Sequence, residues 1–181
     1  CTLFMLIHRK ALLKDSSNIK KLMNISISSL LGGMLEPNQL EAARESMGLD
    51  TQLIKDESYY LIFKNTKLVG SGGYSNRKTL FGGNHTPNRS NDLLIPGKDS
   101  AKIRAMYTHP SHTRQGIGTY ILSLVEGESK KLGFRKFELM ATVSGILLYE
   151  RKGYEVTEKI EYISKKGNKV PMYKMKKDLD D

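Results

Sequence analysis

HPSHTRQGIGTYIL, residues 109–122, decides how this chain is read. Two glycines, Gly116 and Gly118, stand one residue apart. Arg114 and Gln115 precede them, and Pro110 lies further back. Downstream, Ile117, Ile121, Leu124, Val125 and Leu132 recur at helical spacing, and Gly133 supplies a stop. Upstream, AKIRAMYTH (101–109) reads as a strand that Pro110 ends. The segment is therefore a strand, a tight turn and a helix. The first N–H groups of a helix lack internal partners, and the helix dipole is positive at that end. Where side chains are missing, an anion can approach that backbone closely. Arg114 adds a charge beside it, and Gln115 adds a donor. Spacing excludes two nucleotide motifs. A phosphate-binding P-loop needs Gly-Lys-Ser/Thr, whereas Thr119 and Tyr120 follow Gly118; a dinucleotide turn needs a third glycine at 121, which is Ile.

The rest of the chain arranges itself around this unit. Residues 3–10 suit a first strand. Residues 15–31 suit a helix capped by Asp15 or Ser16, with Ile19, Leu22, Met23 and Ile27 on one face and Gly32-Gly33 at its end. A second helix covers 36–48, with Pro37 in its first turn and Gly48 at its end. Residues 59–64 and 67–74 form a hairpin about Asn65-Thr66, and Gly70, Gly72 and Gly73 in its second strand imply a bulge or the close approach of another backbone. Residues 75–100, rich in Asn, Ser, Gly and Pro, are either a substrate-side lid or a disordered insertion. A strand at 135–142, a short helix at 145–153 and two strands at 154–164 and 169–177 about Lys166-Gly167-Asn168 complete the chain. The order is β-α-α-β-β-β-α-β-α-β-β. It predicts a mixed α/β fold over one domain, 1–181, and argues against a regular doubly wound sheet.

Composition narrows the partners. The chain of 181 residues is 39% hydrophobic, enough for a packed core, and carries a net charge of +10. Such a charge favours polyanions, but the lysines are scattered rather than blocked, which speaks against a dedicated nucleic-acid binder. The one cysteine, Cys1, cannot form an internal disulfide, so a reducing, cytoplasmic setting is expected. The apolar run at 1–7 is too short to cross a bilayer and lacks a preceding basic segment, so no membrane partner is expected.

The segment YTHPSHTRQGIGTYIL resembles the signature of the GNAT superfamily of acyl-CoA-dependent N-acyltransferases, R/Q-x-x-G-x-G/A at the start of a helix. LLYERKGYEV, residues 147–156, resembles that family's second element, a short helix ending in YEKxGF. The order of elements is similar along the whole chain. The resemblance implies a mostly antiparallel twisted sheet with one splayed parallel pair and helices on both faces. It implies that acetyl-CoA is the cosubstrate, with its pyrophosphate on the backbone of Arg114, Gln115, Gly116, Ile117, Gly118 and Thr119. Thr113 stands where the family has Arg or Gln, a departure that touches the side chain and not the backbone. Met106, Tyr107 and Thr108 would pair with the pantetheine arm. Thr142 falls where many members place a cofactor-contacting Asn, and Arg151 would approach the adenosine phosphates.

By the same resemblance Tyr149 is the general acid that protonates the departing thiolate. Many members use a Glu near the central strand as general base, but AKIRAMYTH holds Arg104 and no acid. Asp99 lies just before it; His109 and His112 are candidates by pKa, Glu36 and Glu57 if the fold brings them near, and none is singled out. No metal ligand set is assigned. Two further readings stay open: a CoA-binding module without catalysis, and a basic nucleic-acid binder. The acceptor amine is not legible, and dimerisation, common in the family, is not fixed by these residues.

Overall fold

The computed structural model describes residues 5–180, so Cys1 and the first residues of the expected opening strand lie outside the described residues. Seven strands form one sheet: β1 (Leu6–Lys10), β2 (Tyr59–Lys64), β3 (Lys67–Ser75), β4 (Ala101–Thr108), β5 (Lys136–Ala141), β6 (Glu155–Ile163) and β7 (Lys169–Asp178). Their spatial order is β1-β2-β3-β4-β5-β7-β6. Every neighbouring pair is antiparallel except β4 and β5. The mixed α/β fold expected from the sequence is present, with its single parallel pair in the middle of the sheet.

Helices cover both faces. On one side lie α1 (Ser16–Ser26), α2 (Pro37–Ser46) and α3 (Thr51–Lys55); on the other lie α4 (Ile117–Lys131) and α5 (Ile146–Arg151). This explains why Tyr59, Tyr60, Leu61 and Ile62 are buried in succession. Side chains alternate across a strand, and here both faces are packed. Tyr60 and Ile62 join Ile117, Ile121 and Val125 of α4, while Tyr59 and Leu61 join Ile19, Leu22 and Met23 of α1. Among the described residues, no helix is long and apolar enough to cross a membrane.

The glycines of β3 have a packing role. A Cβ at Gly70 would stand 2.7 Å from Ile117 Cγ2, and one at Gly72 would stand 2.2 Å from Ile121 Cγ2. Bare backbone lets α4 lie directly on the sheet. At Gly70 and Gly72 it is the side-chain row of α4 that approaches; at Gly73 it is the neighbouring backbone, since a Cβ there would stand 2.6 Å from Ser58 O, and the strand pairing is bulged between Ser71 and Gly73.

One expectation is corrected, one element is added and one open alternative is narrowed. The first helix does not run regularly from 15 to 31: α1 passes at Ile27 into a wider π-wound turn, Ile27–Leu31. The short α3 is an additional helix, capped by the Asp50 carboxylate, which accepts the Gln52 N–H at 3.1 Å. Residues 76–100 are an ordered excursion, not a disordered one. Lys78 N–H donates to Asp92 O at 2.9 Å, Leu94 N–H to Asn76 O at 2.7 Å, and Asn84 N–H to Leu49 O at 2.8 Å. Thr86 Oγ1 donates to Glu45 O at 2.9 Å, which ties the tip to α2.

The root of this excursion is clamped by Arg77, whose Nε and Nη2 hold the Asp56 carboxylate at 2.8 and 2.9 Å. Hydrogen bonding from Arg77 holds Asp56 below the usual carboxylate range, against the opposing effect of burial. The folded state therefore binds this proton less readily than the unfolded chain. The stabilisation is present above the ordinary Asp pKa and is lost as pH falls through the lowered folded value. Arg77→Gln is expected to lower Tm at pH 7, with a deficit that shrinks as pH falls below the ordinary Asp range. A deficit that stays constant as pH falls would show that the pair adds no pH-linked stability.

Candidate active site

The site begins where β4 and β5 part. Their parallel pairing is confined to Ala101↔Phe137 and Lys102↔Glu138. Beyond it, β4 stays with β3 as far as Thr108, and β5 stays with β7 as far as Ala141. A wedge opens between them, and the peptide groups of β4 on that side have no strand partner. Unpaired backbone donors and acceptors at such an edge are a template for an extended, amide-bearing ligand. A cavity of about 950 Å³ fills the wedge, with Met106, Tyr107 and Thr108 on one wall and Thr142 on the other.

A bulge aims this part of β4. The register passes from Ser71↔Tyr107 to Gly73↔Arg104, leaving Ala105 and Met106 opposite Gly72. Ala105 sits at φ 55°, a conformation costly for a residue with a Cβ. Neighbours hold it there: Ser71 Oγ donates to Ala105 O at 3.2 Å, and Tyr59 Oη donates to Ser71 Oγ at 3.1 Å. A bulge of this kind tilts the strand and redirects its peptide groups.

The turn at the wedge mouth follows Pro110–His112, a single 3₁₀ turn. Arg114 at φ 58° and Gly116 at φ 81° alternate with ordinary residues, which turns successive N–H groups inward. The first helical bond is made by Tyr120 N–H to Gly116 O at 2.9 Å. The N–H groups of Ile117, Gly118 and Thr119 precede it and are free of the helix ladder. With the dipole of α4 they leave free donors at the place where the spacing led us to expect an anion.

The two glycines do different work. A Cβ at Gly116 would meet nothing within 4 Å, so its positive φ, rather than space, asks for glycine. A Cβ at Gly118 would stand 2.7 Å from Leu148 Cδ2. Gly118 therefore lets α5 pack against the first turn of α4, and α5 carries Tyr149.

Several side chains expected at the cofactor are used locally instead. Gln115 Oε1 accepts from Lys64 Nζ at 3.0 Å and from His112 Nδ1 at 3.3 Å, and the residue is not part of the cavity wall. Thr113 Oγ1 donates back to Pro110 O at 3.3 Å, so it closes the turn in the place of the family's Arg or Gln. Thr113, Arg114, Gly116, Ile117, Gly118, Thr119 and Arg151 all line the cavity. Thr142 does too, with Oγ1 3.1 Å from Ser144 Oγ.

Tyr149 is only 8% exposed and stands in the same wall. Its ring meets Tyr154 edge-on, with centroids 5.9 Å apart. Burial pushes its phenol well above the ordinary range, so it keeps its proton at neutral pH. A group in that state can donate a proton but cannot serve as a base.

Among the described residues, no Asp or Glu lines the cavity. Asp99 accepts the Ile95 N–H at 2.8 Å, and Glu36 and Glu57 lie outside the wall. His109 is also outside; its Nδ1 accepts from Ser111 N–H at 3.1 Å, and burial, Lys67 and His112 together lower its pKa. His112 lines the wall beside Thr113, at the anion end. None of these candidates is brought forward as a base.

Other wall residues were not singled out from the sequence: Ile27, Leu30 and Leu31 of the π-wound turn, and Leu80, Phe81 and Gly82 of the excursion. Arg104 was noted only for not being an acid. A helix that widens to π form at a cavity is a recurrent mark of functional sites, but apolar spacing cannot show it.

The GNAT acetyltransferase family model matches residues 26–154, most of the chain. No curated protein sequence matches it. Similar solved structures include a GCN5-related N-acetyltransferase from Rhodopseudomonas palustris, with TM-score 0.71, 16% identity and 99% of each chain covered. They include the PaiA N-acetyltransferase from Thermoplasma acidophilum in complex with coenzyme A, with TM-score 0.61, 15% identity, and 96% of this chain and 99% of that one covered. The structure of yncA from Salmonella typhimurium with its cofactor acetyl-CoA gives TM-score 0.64 at 16% identity, covering 98% of this chain and 95% of that one. At these identities the likeness shows a shared fold, and the matched family model, over a chain with this wedge and turn, places the protein in the GNAT family of acetyltransferases.

Proposed function

We propose that the protein, acting as one domain over 1–181, is an N-acetyltransferase that moves an acetyl group from acetyl-CoA to an amine. The wedge between β4 and β5 carries this reading, because it joins three requirements of the cosubstrate. Free N–H groups at 117–119 suit a pyrophosphate. The unpaired edge of Met106, Tyr107 and Thr108 suits the amides of pantetheine. Tyr149, protonated and in the wall, suits a leaving thiolate.

The amine nitrogen attacks the thioester carbonyl carbon, and the carbonyl electron pair moves onto oxygen. Strand-edge N–H groups near Met106 and Tyr107 stabilise that oxygen. Collapse re-forms the carbonyl and breaks the carbon–sulfur bond. Tyr149 gives its proton to the sulfur, the nitrogen loses one proton to water, and the Tyr149 phenolate takes a proton back from water to restore the acid. Holding both reactants in one cavity supplies much of the acceleration.

Isothermal titration with acetyl-CoA and thiol release over a panel of amines test the reading together. Binding with amine-dependent release supports a transferase; binding without release for every amine contradicts it and favours a CoA-binding module. Among the described residues no Asp or Glu lines the cavity, so the acceptor is expected to arrive neutral. The rise of kcat/KM with pH is therefore expected to follow the acceptor's own amine pKa and to move when the acceptor is changed. An inflection fixed for all acceptors would reveal a protein base.

A further inference from the structure

The cavity continues past the wedge onto the α1–α2 face. There it is walled by Ile27, Leu31, Met34, Met47, Phe81 and Met140. Among the described residues, Arg104 alone brings a charge to this end, from β4 beside the Ala105 bulge.

The surroundings of Arg104 do not balance. Its Nη1 pairs with Asp50 Oδ2 at 2.9 Å, and its Nη2 donates to Gly82 O. The same Asp50 oxygen also receives Arg89 Nη2 at 2.9 Å, and the other oxygen caps α3. Two guanidinium groups thus share one carboxylate, with the Arg104 and Asp50 side chains 3% and 1% exposed. The Nε atoms of both arginines are buried without a hydrogen-bond partner. Burial, reinforced by Arg89 and opposed by Asp50, pushes the Arg104 guanidinium down to about 10. Buried charge is normally matched by an opposite one, and buried N–H groups are normally met. A second anion beside Arg104 would satisfy both needs.

We propose that the acceptor is an amine with an apolar body and a carboxylate, and that Arg104, held in place by Asp50 and sharing it with Arg89, anchors that carboxylate while the apolar wall takes the body. The proposal rests on the transferase reading above and adds the substrate class. It also gives the 76–100 excursion a role. That segment delivers Phe81 to the apolar wall, and Gly82 O and Arg89 to the charged cluster. A polyamine finds no counter-ion there among the described residues, none of whose carboxylates lines the cavity.

The test uses the full chain, acetyl-CoA and four probes: leucine, leucinamide, isoamylamine and spermidine. Rates are compared at equal concentrations of unprotonated amine, so that differing amine pKa values do not enter. Leucine is expected to exceed leucinamide by about tenfold or more in kcat/KM, mainly through KM, as suits a charge-assisted contact. Arg104→Gln is expected to raise the KM for leucine by about tenfold while leaving leucinamide within about twofold. Arg89→Gln, at a more exposed position, should reduce the same preference in part. Equal or better turnover of leucinamide, isoamylamine or spermidine overturns this proposal and leaves the transferase reading standing. No thiol release with any of the four, despite acetyl-CoA binding, contradicts the transferase reading and overturns the proposal with it. The wild-type comparison decides the matter even if Arg104→Gln does not fold.

Discussion

Tyr149→Phe is expected to lower kcat by about 10²–10⁴-fold while acetyl-CoA affinity stays within about twofold, the range that a positioned general acid supplies. The substitution removes one oxygen and keeps the ring, so the edge-on contact with Tyr154 is retained. The phenol's raised pKa means that the wild-type donor remains protonated through neutral pH. Loss of the hydroxyl should therefore lower the whole pH profile rather than shift one limb. Titration calorimetry with acetyl-CoA separates binding from turnover. A kcat within about twofold of wild type would remove Tyr149 from the acid role and leave it a packing residue on α5.

Gly72→Val should cause the largest loss of stability among single changes near the site. A Cβ at residue 72 would lie 2.2 Å from Ile121 Cγ2 and 2.6 Å from Met106 Sδ, and valine adds two further methyl groups. Overpacking of this kind costs about 1–3 kcal/mol. For a chain of this size each kcal/mol moves Tm by about 2–4 °C, so a fall on the order of 5–10 °C is expected. The loss has a functional side. Ile117 and Ile121 seat α4 on β3, and the first turn of α4 carries the free N–H groups. Lifting α4 should weaken acetyl-CoA binding along with stability. Gly127→Ala is the control on the same helix, where a Cβ would meet nothing within 4 Å. It should raise stability by up to about 1 kcal/mol through helix propensity alone. A Gly72→Val protein as stable as wild type would show that α4 does not depend on bare strand backbone.

How much of this was legible in the chain depended on whether the signal was local. The strand–turn–helix at 101–131 was readable because Pro110, Gly116, Gly118 and the apolar row of α4 are close in sequence and each carries a backbone reason. The hairpin about Asn65-Thr66 and the final pair of strands were readable for the same cause. The short α3 escaped because five residues, Thr51–Lys55, give too little periodicity, although Asp50 was a visible cap. The π-wound end of α1 was hidden because Ile27 and Leu31 fit ordinary helical spacing equally well.

Long-range pairing set the remaining limits. Nothing in residues 75–100 alone reveals that Asn84, Thr86 and Arg89 bond to Leu49, Glu45 and Asp50. The distinct roles of Gly116 and Gly118 appear only when α5 is packed beside them and Leu148 fills the direction of a Gly118 side chain. The side chains of Thr113 and Gln115 bond to Pro110 and to Lys64 and His112, pairings that their positions in the sequence did not reveal. Arg104 read as a missing acid; its pairing with Asp50 crosses more than fifty residues and made it a candidate anchor instead.

A crystal structure of the protein with acetyl-CoA tests the central claim most directly. The account predicts the pyrophosphate within hydrogen-bond reach of the N–H groups of residues 116–119, the pantetheine arm along Met106, Tyr107 and Thr108, and the sulfur beside the Tyr149 hydroxyl. A cosubstrate bound outside the β4–β5 wedge, or with its sulfur away from Tyr149, would contradict it.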